Sequence, residues 1–248
     1  MTQSKHPLAI ALLTSLSGFT AATLSTNAAA DNWYIGAEFG AGSYTTSLSS
    51  NLDLDKEDSE KKAVNELDSS NYLRLQFGNY INKNLRVYGY MQVGDNTELS
   101  YEEYSMGIIN IGDDLVQVPV KETVQFDKDD YQLGLGSDYL FHFNDDWSVF
   151  AGGNLGYYSS SLKYTYKSNV ANLPGMQYSV SKTSKNNGVT AGLNAGVGYN
   201  INEQWRLETG AKYSVLVDND HKIQFEDEYM TYKFKGTSQY YLNASYQF

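Results

Sequence analysis

Tyr240-Tyr241-Leu242-Asn243-Ala244-Ser245-Tyr246-Gln247-Phe248 alternates Tyr240, Leu242, Ala244, Tyr246 and Phe248 with Tyr241, Asn243, Ser245 and Gln247. Side chains on a strand have a period of two. One face of this segment therefore suits lipid and the other a polar interior, as the last strand of a transmembrane β-barrel requires.

The far end of the chain agrees. Lys5 and His6 precede an apolar run from Pro7 to Leu16, and Ala28-Ala29-Ala30 stands ahead of Asp31. This is the pattern of a secretory signal peptide over residues 1–30, leaving residues 31–248 as one barrel domain. Thr14, Ser15, Ser17 and Gly18 break the run short of the roughly 20 apolar residues that a spanning helix needs. With Cys 0 the exported chain has no disulfides, while Tyr 22, Gly 21 and Pro 3 favour strands.

The same alternation recurs along the chain. Trp33, Ile35, Ala37 and Phe39 oppose Tyr34, Gly36, Glu38 and Gly40; Leu73, Leu75 and Phe77 oppose Arg74, Gln76 and Gly78; Leu85, Val87, Met91 and Val93 oppose Arg86, Tyr88, Tyr90 and Gln92. Further segments start at Tyr131, Trp147, Val189 and Trp205, which with Tyr240–Phe248 makes an all-β, eight-stranded antiparallel up-and-down barrel. Short turns at Asn82-Lys83-Asn84, Asn144-Asp145-Asp146 and Asn202-Glu203 alternate with long segments, the pattern of short periplasmic turns and long extracellular hairpin loops. Trp33, Tyr80, Phe141, Trp147, Tyr199, Trp205 and Phe248 all fall near the short-turn end and are expected to form an interfacial aromatic girdle.

Glu38, Arg74, Arg86, Asp138, Arg206, Glu208 and Lys212 have interior parity. Eight strands enclose a lumen that side chains fill, so these charges are expected to pair into a polar network that plugs it. An ion path along that network is the alternative. The long segments read as hairpins extending the barrel: Thr97 to Ile111 against Leu115 to Phe126, Leu162 to Tyr166 against Tyr178 to Thr183, and Lys222 to Phe225 against Met230 to Phe234.

The loops are charged unevenly. Asp53, Asp55, Glu57, Asp58 and Glu60 crowd the first, whereas Lys163, Lys167, Lys182 and Lys185 mark the third. Asp53, Asp55 and Glu57 resemble the start of a calcium loop but lack its glycine, and no metal site or cofactor is expected. No catalytic residue is assigned: His221 stands with Asp218 and Asp220 but without a serine motif, and His142 sits at a strand end. A net charge of -11 argues against nucleic acid as a partner.

Together these features, with the Tyr246-Gln247-Phe248 ending, resemble the small OmpA and OmpX type outer-membrane barrels of Gram-negative bacteria. That resemblance implies residence in the cell outer membrane, contact with its lipid and lipopolysaccharide, and an assembly signal in Tyr240, Leu242, Tyr246 and Phe248 read by the outer-membrane insertion machinery. The expected role is non-enzymatic: surface interaction with an extracellular partner through the loops, adhesion or envelope integrity. A narrow porin-like channel for ions or small solutes and, further off, a lipid-modifying enzyme using His221 are the alternatives.

Overall fold

The computed structural model describes residues 32–50, 67–94, 97–111, 114–170, 177–225 and 228–248. These form antiparallel strands β1 (Trp33–Ser50), β2 (Tyr72–Asn82), β3 (Leu85–Gly94), β4 (Thr97–Ile111), β5 (Asp114–His142), β6 (Trp147–Val170), β7 (Gln177–Asn200), β8 (Trp205–Leu216), β9 (Asp220–Phe225) and β10 (Glu228–Gln247). The hydrogen-bonded order is β1-β2-β3-β5-β6-β7-β8-β10, and β10 pairs back onto β1, so eight strands close a ring. β4 hangs from β5 and β9 from β10.

The C-terminal segment makes the closure. Its register runs from Tyr34 opposite Gln247 to Ala41 opposite Tyr240, and the Phe248 amide donates to the Trp33 carbonyl at 3.0 Å. No edge is left in the ring, and every spanning backbone group can be satisfied by a neighbouring strand. Alternation sorts the faces: Tyr240 and Leu242 are 77% and 66% exposed, whereas Tyr241 and Asn243 are 5% and 3% exposed.

The short turns owe their shape to asparagine. Asn82 Oδ1 accepts the Asn84 amide at 2.8 Å, Asn144 Oδ1 those of Asp146 and Trp147 at 3.0 and 2.8 Å, and Asn202 Oδ1 those of Gln204 and Trp205 at 2.9 and 2.8 Å. These side chains supply the acceptors that a tight reversal leaves missing. Two of these turns lead into a tryptophan, and aromatic pairs gather at this end of the ring. Trp33 stacks on Phe77 at 4.9 Å, Trp147 meets Tyr199 at 4.8 Å, Trp205 meets Tyr246 at 5.2 Å, Phe141 meets Tyr139 at 4.7 Å, and Phe248 lies 6.3 Å from Tyr246.

Tyr80 departs from this ring. It shares the inward parity of Arg74, Gln76 and Gly78, and it packs on buried Tyr34 at 5.2 Å, so it belongs to the lumen and not to the lipid-facing girdle. Strand parity overrides its position at a strand end.

Inside the ring, large rings sit opposite glycines. Tyr34 is registered with Gly78, Tyr72 with Gly40, Tyr88 with Gly136, Tyr90 with Gly134, Phe150 with Gly196 and Tyr241 with Gly210. A Cβ at Gly136 would lie 2.5 Å from Tyr88 Cζ, and one at Gly134 would lie 2.6 Å from Tyr90 Cζ. Each glycine gives a tyrosine or phenylalanine room to lie flat in a narrow lumen.

Spanning the hydrocarbon takes about 9–11 tilted residues, yet β5 has 29 residues and β6 and β7 have 24 each. The surplus stands above the outer leaflet. There β4 pairs with β5 from Thr97 opposite Lys128 to Ile111 opposite Asp114, and β6 pairs with β7 up to Asn169 opposite Gln177. A second extension is built by β1, β10 and β9, with Ser50 opposite Met230. Between the two extensions lies an apolar core of Tyr44, Leu67, Phe126, Tyr158, Leu162, Leu216, Ile223, Met230, Tyr232 and Phe234.

Candidate functional site

The interior charges expected from parity are all buried, from 1% exposure at Asp138 to 6% at Arg206. Arg86 is the hub of one group. Its Nε donates to Asp138 at 2.8 Å, and its two terminal nitrogens donate to the two oxygens of Glu208 at 2.8 and 2.9 Å. Arg206 Nε reaches Glu208 at 2.6 Å and another of its nitrogens reaches Asn200 at 2.8 Å, while Asn194 and Asn243 donate to Asp138 and Glu208 at 2.9 and 3.0 Å.

Glu38 is the acceptor of the second group. It takes the Lys212 ammonium and the Tyr72 hydroxyl, with Arg74 Nε at 3.8 Å. Arg74 donates twice to Gln92, at 3.0 and 2.7 Å, and its guanidinium lies 4.0 Å from the centre of the Tyr90 ring. The pairing satisfies the charges that burial would otherwise penalise. Arg74, Arg86, Arg206 and Lys212 against Glu38, Asp138 and Glu208 leave the buried band with a formal surplus of one positive charge.

Tyr72, Gln92, Asn194, Asn243 and Ser148 complete this network, and their inward parity was the available signal. What parity cannot supply is the partner. Arg86 and Glu208 are 122 positions apart on strands that face each other across the lumen.

Above the membrane the apolar core lies at the mouth of the ring. Lys128 is 2% exposed, 3.3 Å from the Tyr44 ring centre and 4.8 Å from that of Phe234, with Asp130 at 3.8 Å. Burial pushes its ammonium down to about 8. Residues 67–70 strap this mouth: Leu67 is fully buried, Tyr44 N donates to Asp68 O at 2.6 Å, Ser70 N donates to Gly42 O at 3.0 Å, and Gln239 donates to the Ser70 hydroxyl at 2.6 Å.

His221 clasps β9 to β6 and β7, from which it receives no backbone ladder among the described residues. Its Nδ1 lies 3.2 Å from Ser184 O, and its Nε2 lies 2.9 Å from the Ser160 hydroxyl and 3.1 Å from Asn219 Oδ1. Burial lowers its pKa to about 4. Ser160 and His221 have 3% and 0% exposure. Nearby, the Asn186 amide donates to Asp218 O and Asp220 O, and Tyr158 OH donates to Val217 O at 2.7 Å, closing the same seam.

Among the loop residues, Lys163 and Lys185 are exposed on β6 and β7 beyond Tyr157, with Lys163 3.7 Å from Asp127. Tyr104, Met106 and Ile108 are 71%, 62% and 64% exposed on one face of β4. The acidic run at 53–60, with its calcium-like spacing, lies outside the described residues. His142 is exposed, its Nε2 2.7 Å from Lys83 O. No cluster of three potential metal ligands occurs among the described residues.

Residues 11–248 match the family described as outer membrane protein beta-barrel domain. No curated protein matches the chain. Neisserial surface protein A superposes with a TM-score of 0.47 at 14% identity, covering 87% of this chain and 97% of that one. A major outer membrane protein of Thermus thermophilus gives 0.47 at 12% identity, covering 87% and 99%, and Ail, the attachment invasion locus protein of Yersinia pestis, gives 0.37 at 15%, covering 88% and 99%.

Proposed function

The chain belongs to the outer membrane protein β-barrel family, and from that membership we propose a non-enzymatic surface protein that meets extracellular partners through its protruding strands, in adhesion or envelope integrity, above a plugged lumen. The observation that carries this reading is β4. Among the described strands its 15 residues form a ladder with β5 alone. Natural edge strands are usually guarded by lysine, proline or a bulge. From Thr97 to Ile111 there is no lysine, arginine or proline, the charges Glu98, Glu102 and Glu103 all lie in its first seven residues, and Tyr104 to Ile111 carries none. Exposed Tyr104, Met106 and Ile108 add apolar area beside that edge, as suits a surface that pairs with an extended partner segment.

The two ion-paired groups and the apolar core support the plug. The enclosure of Ser160 and His221 favours a structural clasp over a hydrolytic pair, because substrate needs access to a nucleophile. Lys163 and Lys185, above the membrane band, suit lipopolysaccharide phosphates. The lipid-facing row Tyr240, Leu242, Tyr246 and Phe248 suits recognition by the insertion machinery after residues 1–30 are removed.

Cells displaying the full chain or a variant lacking residues 97–123, at equal surface level, should be compared for attachment to matrix-protein-coated surfaces. Loss of attachment in the variant is expected; equal attachment would overturn the assignment to β4. In planar bilayers the refolded barrel is expected to be silent, and reproducible unit conductance altered by Glu208→Gln would overturn the plug.

A further inference from the structure

The exposed apolar row of β4 is symmetric about Met106: Tyr104, Met106 and Ile108 point to one face and stand clear of the rest of the chain. A second β4 laid antiparallel beside the first, with a twofold axis at Met106, sets Met106 against Met106 and Tyr104 against Ile108. We propose that β4 binds the β4 of a second copy of this chain on an opposing cell, in this antiparallel register. This rests on the reading of β4 as a partner-binding edge, and it names the partner.

Charge selects the register. Glu98, Glu102 and Glu103 crowd one end of β4, and Tyr104 to Ile111 carries no charge. In the antiparallel arrangement Glu102 comes opposite Asn110 and Glu103 opposite Ile109, so no acid faces an acid. Glu102 also keeps Lys121 at 2.7 Å on its own hairpin. A parallel arrangement in register sets each of these glutamates beside its own copy, and like charges directly opposite one another destabilise a sheet. Tyrosine against isoleucine is by contrast a favourable cross-strand pair. Leu115, 75% exposed and opposite Asn110 on β5, extends the same apolar face in both copies.

The membrane decides where the second copy stands. Two copies in one membrane are related by rotation about its normal, which brings upright β4 strands together parallel and tilted ones crossed. Antiparallel pairing needs an axis lying in the membrane plane, and such an axis relates copies on two facing surfaces. β4 is carried upward because β5 continues straight out of its spanning segment, with an unshifted register against β6 from His142 opposite Ser148 to Val120 opposite Val170. Met106 lies opposite Pro119, roughly 40 Å along β5 beyond the lipid-facing Tyr131, and so clears the lipid headgroups.

Green-labelled cells displaying the full chain should be mixed with red-labelled cells that do or do not display it, and clumping followed by settling and microscopy. Mixed clumps of the two displaying populations are expected, with non-displaying cells left out. At equal surface level, Met106→Lys should slow clumping about tenfold, because lysine then faces lysine at the axis and many strand pairs share each cell contact. Met106→Glu should do the same. A mixture of Met106→Lys cells with Met106→Glu cells should clump at close to the parent rate, which also shows that both variants are folded and displayed. Tyr104→Lys cells should clump faster with Ile108→Glu cells than with Tyr104→Glu cells, as the antiparallel register and not the parallel one requires. Displaying cells that do not clump, clumps that recruit non-displaying cells, or no recovery in the charge-swapped mixture would overturn the proposal. Attachment to matrix-protein-coated surfaces that still depends on residues 97–123, without clumping, overturns the self-pairing and leaves β4 as an edge for another partner.

Discussion

Arg86 binds two carboxylates from strands on either side of the lumen, and the structure is most sensitive at such a residue. Arg86→Met leaves buried Asp138 without its cation and Glu208 with Arg206 alone, and removing one member of a buried pair costs about 3–5 kcal/mol; denaturant titration of the barrel in lipid vesicles measures it. His221 makes a pH-dependent contribution. The unfolded histidine binds a proton near 6.5 and the folded one near 4, so between these values the unfolded state holds more protons. Stability present above pH 6.5 is lost as pH falls toward 4, by about 2–3 kcal/mol at pH 4.5. His221→Gln should lose less than the parent between pH 7.5 and pH 4.5 in the same titration. Parity alone placed Arg86 and Glu208 inside, because a strand has two faces. It could not bring Ser160 to His221, because that contact joins strands with no shared ladder, and it placed Tyr80 inside only when allowed to outweigh proximity to the membrane interface.

Strands in this molecule are matched in pairs by volume as well as by hydrogen bonds. On β5, Gly134 lies under Tyr90, whereas Gly89 on β3 faces outward, with Leu135 Cδ2 3.7 Å from the site of its missing Cβ. Gly134→Ala should therefore cost about 1–3 kcal/mol through overpacking. Gly89→Ala should be neutral or stabilise by about 0.5–1 kcal/mol through chain entropy; similar urea midpoints for the two would argue against the tyrosine-on-glycine packing. Leu193, 70% exposed on β7, tests the other face. Leu193→Arg should cost roughly 2–4 kcal/mol near the bilayer midplane. Adjacent Asn194 faces Asp138 at 2.9 Å, so Asn194→Ala should cost about 1–3 kcal/mol from a lost hydrogen bond, independent of bilayer thickness. The spanning parts of these strands were legible because lipid enforces a strict period. Their upper halves were less so: above the membrane Asp127, Asp129 and Lys163 can occupy the outer face, and the apolar and polar sides cease to differ.

At the scale of the molecule, levels with different chemistry succeed one another along one ring: short turns, ion-paired band, apolar core and protruding strands. The ring does not need the last of these to close. β3 joins β5 through residues 85–93 and 131–139, and β1 joins β2 and β10 through residues below Ser50. Replacing residues 97–123 by a short turn removes β4 and its ladder on β5 but retains Phe126, Lys128 and every pairing between β3 and β5. The shortened chain is expected to insert and to keep the faster gel mobility of an unheated barrel, with heating required for full unfolding. Loss of that mobility would show that the hairpin is part of the barrel's stability. Its retention would leave the protrusion as a separable element, long enough at ~3.3 Å per residue to hold β4 tens of ångströms beyond the membrane, which is the arrangement a strand needs if it is to meet partners past the lipopolysaccharide headgroups.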